Sequence, residues 1–232
     1  MIGASDAMAN GVAGGKPVVG NWAPTGARGA RLRVMMTVDA VGGVWRYAMV
    51  LGRALAPLGI RCVFVGLGPR PSAEQVDEAE EIGDLVWLNQ PLDWTVEDQA
   101  ALDRLPQVIE PLIGRFGIDV LQLNLPSQAC GLDVEVPLLT VCHSCMITWW
   151  QTMRAEPLPE TWRWKALRNR RGFERADAIV VPSRSLARQM EQCYGPLPPL
   201  EVVYNASGAT VQDDVKADYV FAAGRWWDEG KN

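Results

Sequence analysis

From Leu32 to Tyr204, short apolar runs alternate with longer amphipathic stretches. Leu32-Arg-Val-Met-Met-Thr-Val38 is predicted as a strand, and Asp39-Ala-Val-Gly-Gly43 as the turn that ends it. Val44 to Pro57 has helical spacing, with Val44, Tyr47, Ala48, Leu51 and Leu55 on one face and Gly59 as the stop. Ile60 to Val65 and Leu85 to Leu88 are further strands, separated by a charged helix, Ala73 to Ile82, that begins after Ser72. Thr95 is predicted to cap a helix reaching Phe116. Strands follow at Ile118 to Leu123, Pro137 to Cys142, Ala178 to Val181 and Leu200 to Tyr204. Between them lie a Trp/Arg-rich helical stretch, Pro159 to Arg175, and a helix from Ser183, its N-cap, to Tyr194. Short Val- and Leu-rich strands alternating with helices predict an α/β fold, a parallel sheet covered on both faces. Ligands of such sheets bind at the carboxyl ends of the strands.

Composition narrows the class. The 232 residues suffice for a full core, and the net charge of −5 argues against a nucleic-acid binder. No run of apolar residues is long enough to span a membrane. Residues 1–31 are Gly/Ala-rich with short, broken apolar stretches, which reads as a flexible leader rather than a signal peptide. Five cysteines, an odd number, point to reduced thiols and a cytoplasmic chain.

Three places carry candidate chemistry. The turn Asp39 to Val44 joins a strand to a helix, where main-chain N–H groups and the helix dipole favour an anion, and Gly42 and Gly43 leave room for a phosphate. A tight turn that binds nothing is the plain alternative. The turn is not G-x-G-x-x-G, and Val65-Gly-Leu-Gly68 offers no acidic residue for a ribose, which argues against a nicotinamide dinucleotide; no Gly-Lys-Ser/Thr follows, so it is not a P-loop. His143, the single histidine, follows a strand at the ligand-binding edge, where it is either structural or placed to contact a substrate hydroxyl or a departing phosphate. Cys142-His-Ser-Cys145 spells C-x-x-C, but a zinc site needs about four ligands and no second pair accompanies it. Trp149-Trp150 and the segment Trp162 to Arg171 combine aromatics suited to sugar faces with a basic helix suited to anionic lipid, the alternative being a solvated helix with a Trp-rich inner face.

The last fourteen residues add a fourth element. Tyr219-Val-Phe-Ala-Ala-Gly-Arg225 is an apolar run ending at a glycine turn, and Lys231 follows six residues after Arg225. Both cations could grip one diphosphate. A charged C-terminal tail is the plain reading.

Together, Thr37 to Tyr47, Val141 to Trp150, Ala176 to Ser183 and Ala223 to Asn232 resemble the family 4 glycosyltransferases of the GT-B fold, in the subgroup with an HSC-x-x-x-WW signature. The resemblance implies a Rossmann-like doubly wound parallel sheet, the N-terminal half of a two-domain enzyme. Residues 32–205 would be that domain, 206–217 a linker, and 218–232 the first strand and turn of a C-terminal domain that is missing. It implies retaining transfer of a hexosyl group from a nucleotide sugar to a carbohydrate or lipid-linked acceptor, with no metal and no other cofactor. By the same resemblance, Gly42, Gly43, Arg225 and Lys231 bind the donor diphosphate, His143 contacts the donor sugar at the reacting carbon, and Trp149 and Trp150 belong to the acceptor side. The Glu-x7-Glu segment that holds the donor in the family is absent, and Asn205-Ala206 stands where Asn-Gly is usual. The chain alone is therefore expected to be inactive, with a C-terminal domain in trans as one partner and at most peripheral contact with the inner face of a membrane. An apolar strand at Tyr219 to Ala223 without its own sheet should be disordered, dock on the domain or pair with another chain. The alternative is a non-catalytic Rossmann-like module that binds a glycan or a partner.

Overall fold

Seven strands, most of them apolar enough to be covered from both sides, assemble as one parallel sheet. A computed structural model describes residues 18–19, 32–154, 156–208 and 218–222. The strands are β1 (Val18–Val19), β2 (Arg33–Asp39), β3 (Arg61–Leu67), β4 (Gly83–Trp87), β5 (Val120–Leu123), β6 (Leu138–Val141), β7 (Ala178–Val181) and β8 (Leu200–Val202). The helices are α1 (Gly43–Leu55), α2 (Ala73–Glu80), α3 (Leu105–Phe116), α4 (Met146–Arg154), α5 (Arg163–Arg175) and α6 (Arg184–Tyr194). The sheet order is β1-β4-β3-β2-β5-β6-β7-β8, and every pairing is parallel except the two-residue β1 against β4.

Alternation along β2 and β3 divides the core. Met35, Val63, Val65 and Leu67 face a layer built from α3, α4, α5 and α6. Met36, Cys62 and Phe64 face α1 and α2. The predicted strands and the two-sided cover are therefore observed. Gly59 ends its helical segment in the left-handed conformation, and Ser72 and Ser183 cap α2 and α6 through their side chains.

Three local expectations change. The buried face of α1 is Trp45, Ala48, Met49 and Gly52, rotated from the predicted stripe, because Gly52 admits Phe64 and Ile82 where a Cβ would clash. Thr95 does not cap a helix; its hydroxyl donates to the Leu92 carbonyl in a single tight turn, and α3 starts ten residues later, with a proline in its first turn. Helix α4, which the pattern left unassigned, starts after Cys145, whose backbone and sulfur meet the amides of Trp149 and Thr148.

The Trp/Arg-rich stretch folds as α5, but its cations point inward as well as outward. Lys165 and Arg168 are 7% and 3% exposed. Lys165 Nζ donates to the carbonyls of Asp93 and Val96 at 2.8 and 2.7 Å. Arg168 donates to the carbonyls of Ser127 and Leu102 and pairs with Asp103 at 2.6 Å. Arg175 donates to the Leu132 and Val134 carbonyls. Long cations that satisfy buried carbonyls in this way do structural work that apolar residues cannot do. Tyr219, Val220 and Phe221 are 72%, 97% and 78% exposed and join no strand among the described residues.

Gly172 lets α5 touch the turn Pro126–Gln128: a Cβ there would lie 1.8 Å from the Pro126 carbonyl oxygen. Gly114, on α3, has nothing within 4 Å of its Cβ position. Urea unfolding should show Gly172→Ala destabilised by about 1–3 kcal/mol or more. Gly114→Ala should be stabilised by up to about 1 kcal/mol. Equal effects from the two substitutions would contradict this packing.

Candidate functional site

Strand order reverses between β2 and β5: the chain builds outward from β2 through β3 to β4, then resumes at β5 on the other side. Ligands of doubly wound sheets bind at the carboxyl ends of the strands at such a point. Three segments come to that edge here, the loop after Asp39, the residue after β5 (Asn124), and the loop after β6 that carries His143.

Asp39 shapes the first loop. Its Oδ1 accepts from the amides of Val41 and Gly42, each at 3.0 Å, and Gln75 Nε2 donates to the Ala40 carbonyl at 3.3 Å. The Gly42 amide is thus occupied within the loop. Helix α1 begins at Gly43 with Gly42 as N-cap, no side-chain cap and no acidic residue in its first turn. The first-turn amides of Gly43, Val44 and Trp45 therefore keep the donors a helix start presents, at the positive end of the dipole. Gly42 has an ordinary extended backbone, and a Cβ on Gly43 would meet nothing within 4 Å. Neither glycine is demanded by local backbone geometry, and the space beside Gly43 is open.

The second and third segments are joined through Asn124. Its Nδ2 donates to the Thr37 carbonyl at 2.6 Å and its backbone N–H to Thr37 Oγ1 at 2.8 Å. Thr37 Oγ1 donates in turn to Gln128 Oε1 at 2.6 Å. Asn124 Oδ1 lies 3.0 Å from His143 Nε2. The edge of one ring in the Tyr47–His143 pair meets the face of the other, centroids 4.4 Å apart, and Gln122 Nε2 approaches the Tyr47 hydroxyl at 3.4 Å. Burial pulls the His143 pKa down from 6.5 to about 4, so the ring is neutral at pH 7. Burial also raises the Tyr47 phenol, keeping it protonated.

Trp149 and Trp150 lie on α4. Trp149 lies beneath the Arg154 guanidinium, 5.3 Å from ring centroid to Cζ. Trp150 packs edge-to-face on Trp162 at 5.0 Å and donates to the Glu156 carbonyl at 3.2 Å. Cys142 and Cys145 are free buried thiols. The Cys145 thiol is held below its ordinary value because its sulfur accepts from the Cys142 thiol first, then from Thr148 and Tyr194. Among the described residues, no group of His, Cys, Asp and Glu side chains is arranged to hold a metal ion. No described helix is long and apolar enough to cross a membrane. Arg225 and Lys231 lie outside the described residues.

Of the residues expected from sequence, Gly42, Gly43 and His143 come to one edge of the sheet at the switch point. Asn124, Thr37 and Tyr47 were not singled out as site residues. A polar residue directly after the apolar run Val120 to Leu123 was the available signal for Asn124.

The doubly wound parallel sheet, with an open helix start at its switch point, defines a Rossmann-like α/β domain. The chain belongs to glycosyltransferase family 4, whose model matches residues 41–206. Solved structures agree in fold. A sucrose-phosphate synthase from Thermosynechococcus elongatus matches with a TM-score of 0.57 at 13% identity, over 75% of this chain and 48% of that one. A glycosyltransferase from Rickettsia africae matches with a TM-score of 0.52 at 14% identity, over 75% and 43%. LpCGTa, solved in complex with UDP, matches with a TM-score of 0.51 at 16% identity, over 75% and 54%. The chain thus spans about half the length of these structures. No curated protein sequence matches it.

Because the unfolded state takes up a proton at His143 between pH 6.5 and about 4 while the folded state does not, stability from this residue is complete above 6.5 and declines as pH falls to 4. Thermal unfolding should show the native chain losing stability relative to His143→Gln across that window, with the two running parallel above it. A constant offset throughout would contradict the neutral ring.

Proposed function

We propose that the chain is the acceptor-side domain of a retaining, nucleotide-sugar-dependent glycosyltransferase that moves a hexosyl group to a carbohydrate or lipid-linked acceptor. The observation that carries this reading is the uncapped start of α1, with open space at Gly43, on the same sheet edge as a neutral His143. In the reaction, the bond between the anomeric carbon and the diphosphate breaks and negative charge grows on the leaving oxygens. The first-turn amides of α1 stabilise that charge, as oriented dipoles do most effectively when no reorganisation is needed. Arg225 and Lys231 supply the cations. His143, being uncharged, contacts the sugar rather than neutralising phosphate. Trp149 and Trp150 line the acceptor side, and no metal is required. The donor site is completed by a C-terminal domain, in the same polypeptide or in trans, so this chain is inactive alone. It works in the cytoplasm, at most peripheral to the membrane.

Family membership favours this reading over a non-catalytic binding module. Calorimetric titration at low salt with UDP, GDP and their hexose sugars tests it. Binding should weaken at least about tenfold in Gly43→Val and in Arg225→Ala, while circular dichroism of Gly43→Val stays native because the site is open. Binding indifferent to Gly43→Val would overturn the diphosphate assignment. Incubated with each sugar nucleotide, the purified chain should show no turnover; robust turnover would overturn its inactivity alone.

A further inference from the structure

The chemistry of one amide decides which nitrogen of His143 carries its proton. A carbonyl oxygen only accepts, so the Asn124 atom 2.6 Å from the Thr37 carbonyl must be Nδ2, the donor. The opposite atom, facing His143 Nε2 at 3.0 Å, is therefore Oδ1, an acceptor. For that contact to be a hydrogen bond, Nε2 must bear the proton. A neutral imidazole has one proton, so Nδ1 holds a lone pair. Nδ1 has no hydrogen-bond partner among the described residues. His143 itself is half-buried rather than sealed in the core.

We propose that Asn124 is a positioning residue that locks His143 in the Nε2–H tautomer and so presents Nδ1 as an acceptor for a hydroxyl group of the bound sugar. The proposal rests on the reading of this sheet edge as a sugar-nucleotide site, and it deepens that reading by naming the residue that orients the histidine and the direction of the hydrogen bond. A lone pair accepts from a hydroxyl and repels a carboxylate or phosphate oxygen. The lock extends through the fold, because Asn124 can face His143 with its oxygen only while its nitrogen is held by Thr37. Tyr47, edge-to-face with the imidazole, restrains the ring from α1.

The groups around the ring agree with a neutral lock. The Tyr47 phenol faces it from α1 and stays protonated. Gln122 and Asn124, on the β5 side, are neutral amides. The thiols of Cys142 and Cys145 lie on the loop that carries His143 itself. Burial is the cause of the lowered proton affinity of the ring.

His143 is the sole histidine, so nitrogen NMR of the full chain labelled at histidine reads this ring alone. The native chain should show a protonated Nε2 and an unprotonated Nδ1, unchanged from pH 8 to pH 5. An Nδ1–H form or an averaging mixture of the neutral ring would overturn the lock without need of any variant. Asn124→Asp, which places a carboxylate beside Nε2, should move the titration upward toward neutral pH. Asn124→Ala, provided its amide spectrum remains folded, should give averaged tautomers; a native tautomer in Asn124→Ala would overturn the assigned role. Addition of UDP-glucose or GDP-mannose that binds by calorimetry should shift Nδ1, whereas UDP or GDP should not. Binding of the sugar nucleotide with Nδ1 unmoved would sink the hydroxyl contact and leave the glycosyltransferase reading intact. Failure of every nucleotide to bind, with the tautomer lock observed, would instead count against a donor site formed by this domain's own residues and support the lock as a property of the fold.

Discussion

The side-chain amide of Asn124 faces two ways at the point where the sheet changes direction. Its nitrogen closes the carbonyl of Thr37 on β2, and its oxygen meets His143 after β6. With its backbone N–H on Thr37 Oγ1, one residue ties the carboxyl ends of three adjacent strands. All of these groups except His143 are buried, and an unpaired buried donor or acceptor costs about 1–3 kcal/mol. Removing the amide would orphan several at once. The site therefore depends on a contact whose first role is to satisfy the backbone of the sheet.

The layer beneath repeats that logic with charged side chains. The Thr37 hydroxyl donates a hydrogen bond to Gln128, in the turn that follows Asn124. That turn is held from the other side by α5, through Arg168 on the Ser127 carbonyl and the close approach of Gly172 to Pro126. Lys165 anchors the loop around Asp93, whose carboxylate accepts from Ser127 at 2.6 Å. Burial raises the Asp93 pKa, against the pull of that hydroxyl and of Lys165 and Arg168. A chain of polar contacts thus runs from α5 through the turn to the edge where His143 sits. The positive charge of α5 is directed in part to this clamp, which reduces what it offers to a lipid surface.

The sequence made the scaffold legible because its signals are local. Short Val- and Leu-rich runs, the stop at Gly59 and the caps at Ser72 and Ser183 each act within a few residues. The glycine turn and His143 were also legible, since both follow strands at the edge where parallel sheets bind ligands. The missed features depend on partners distant in the chain. Asn124 works with Thr37, 87 positions away. Lys165 and Arg168 read as surface cations because their acceptors, the carbonyls of residues 93, 96, 102 and 127, come near only after folding. Thr95 resembled an N-cap, but the turn at Leu92 takes its hydroxyl and Pro106 starts the helix. Helix α4 is capped by the sulfur and carbonyl of Cys145, which periodicity alone does not reveal.

In the proposed reading, the open start of α1 and the Asn124-held histidine form one side of a single diphosphate-sugar site. Amide chemical-shift mapping of the full chain with UDP tests this. Changes should concentrate at Gly43, Val44 and Trp45 and reach Asn124 and His143 when a hexose is added to the nucleotide. Changes centred instead on α5, on Trp149 and Trp150, or on the opposite edge of the sheet, with the α1 amides unmoved, would contradict it.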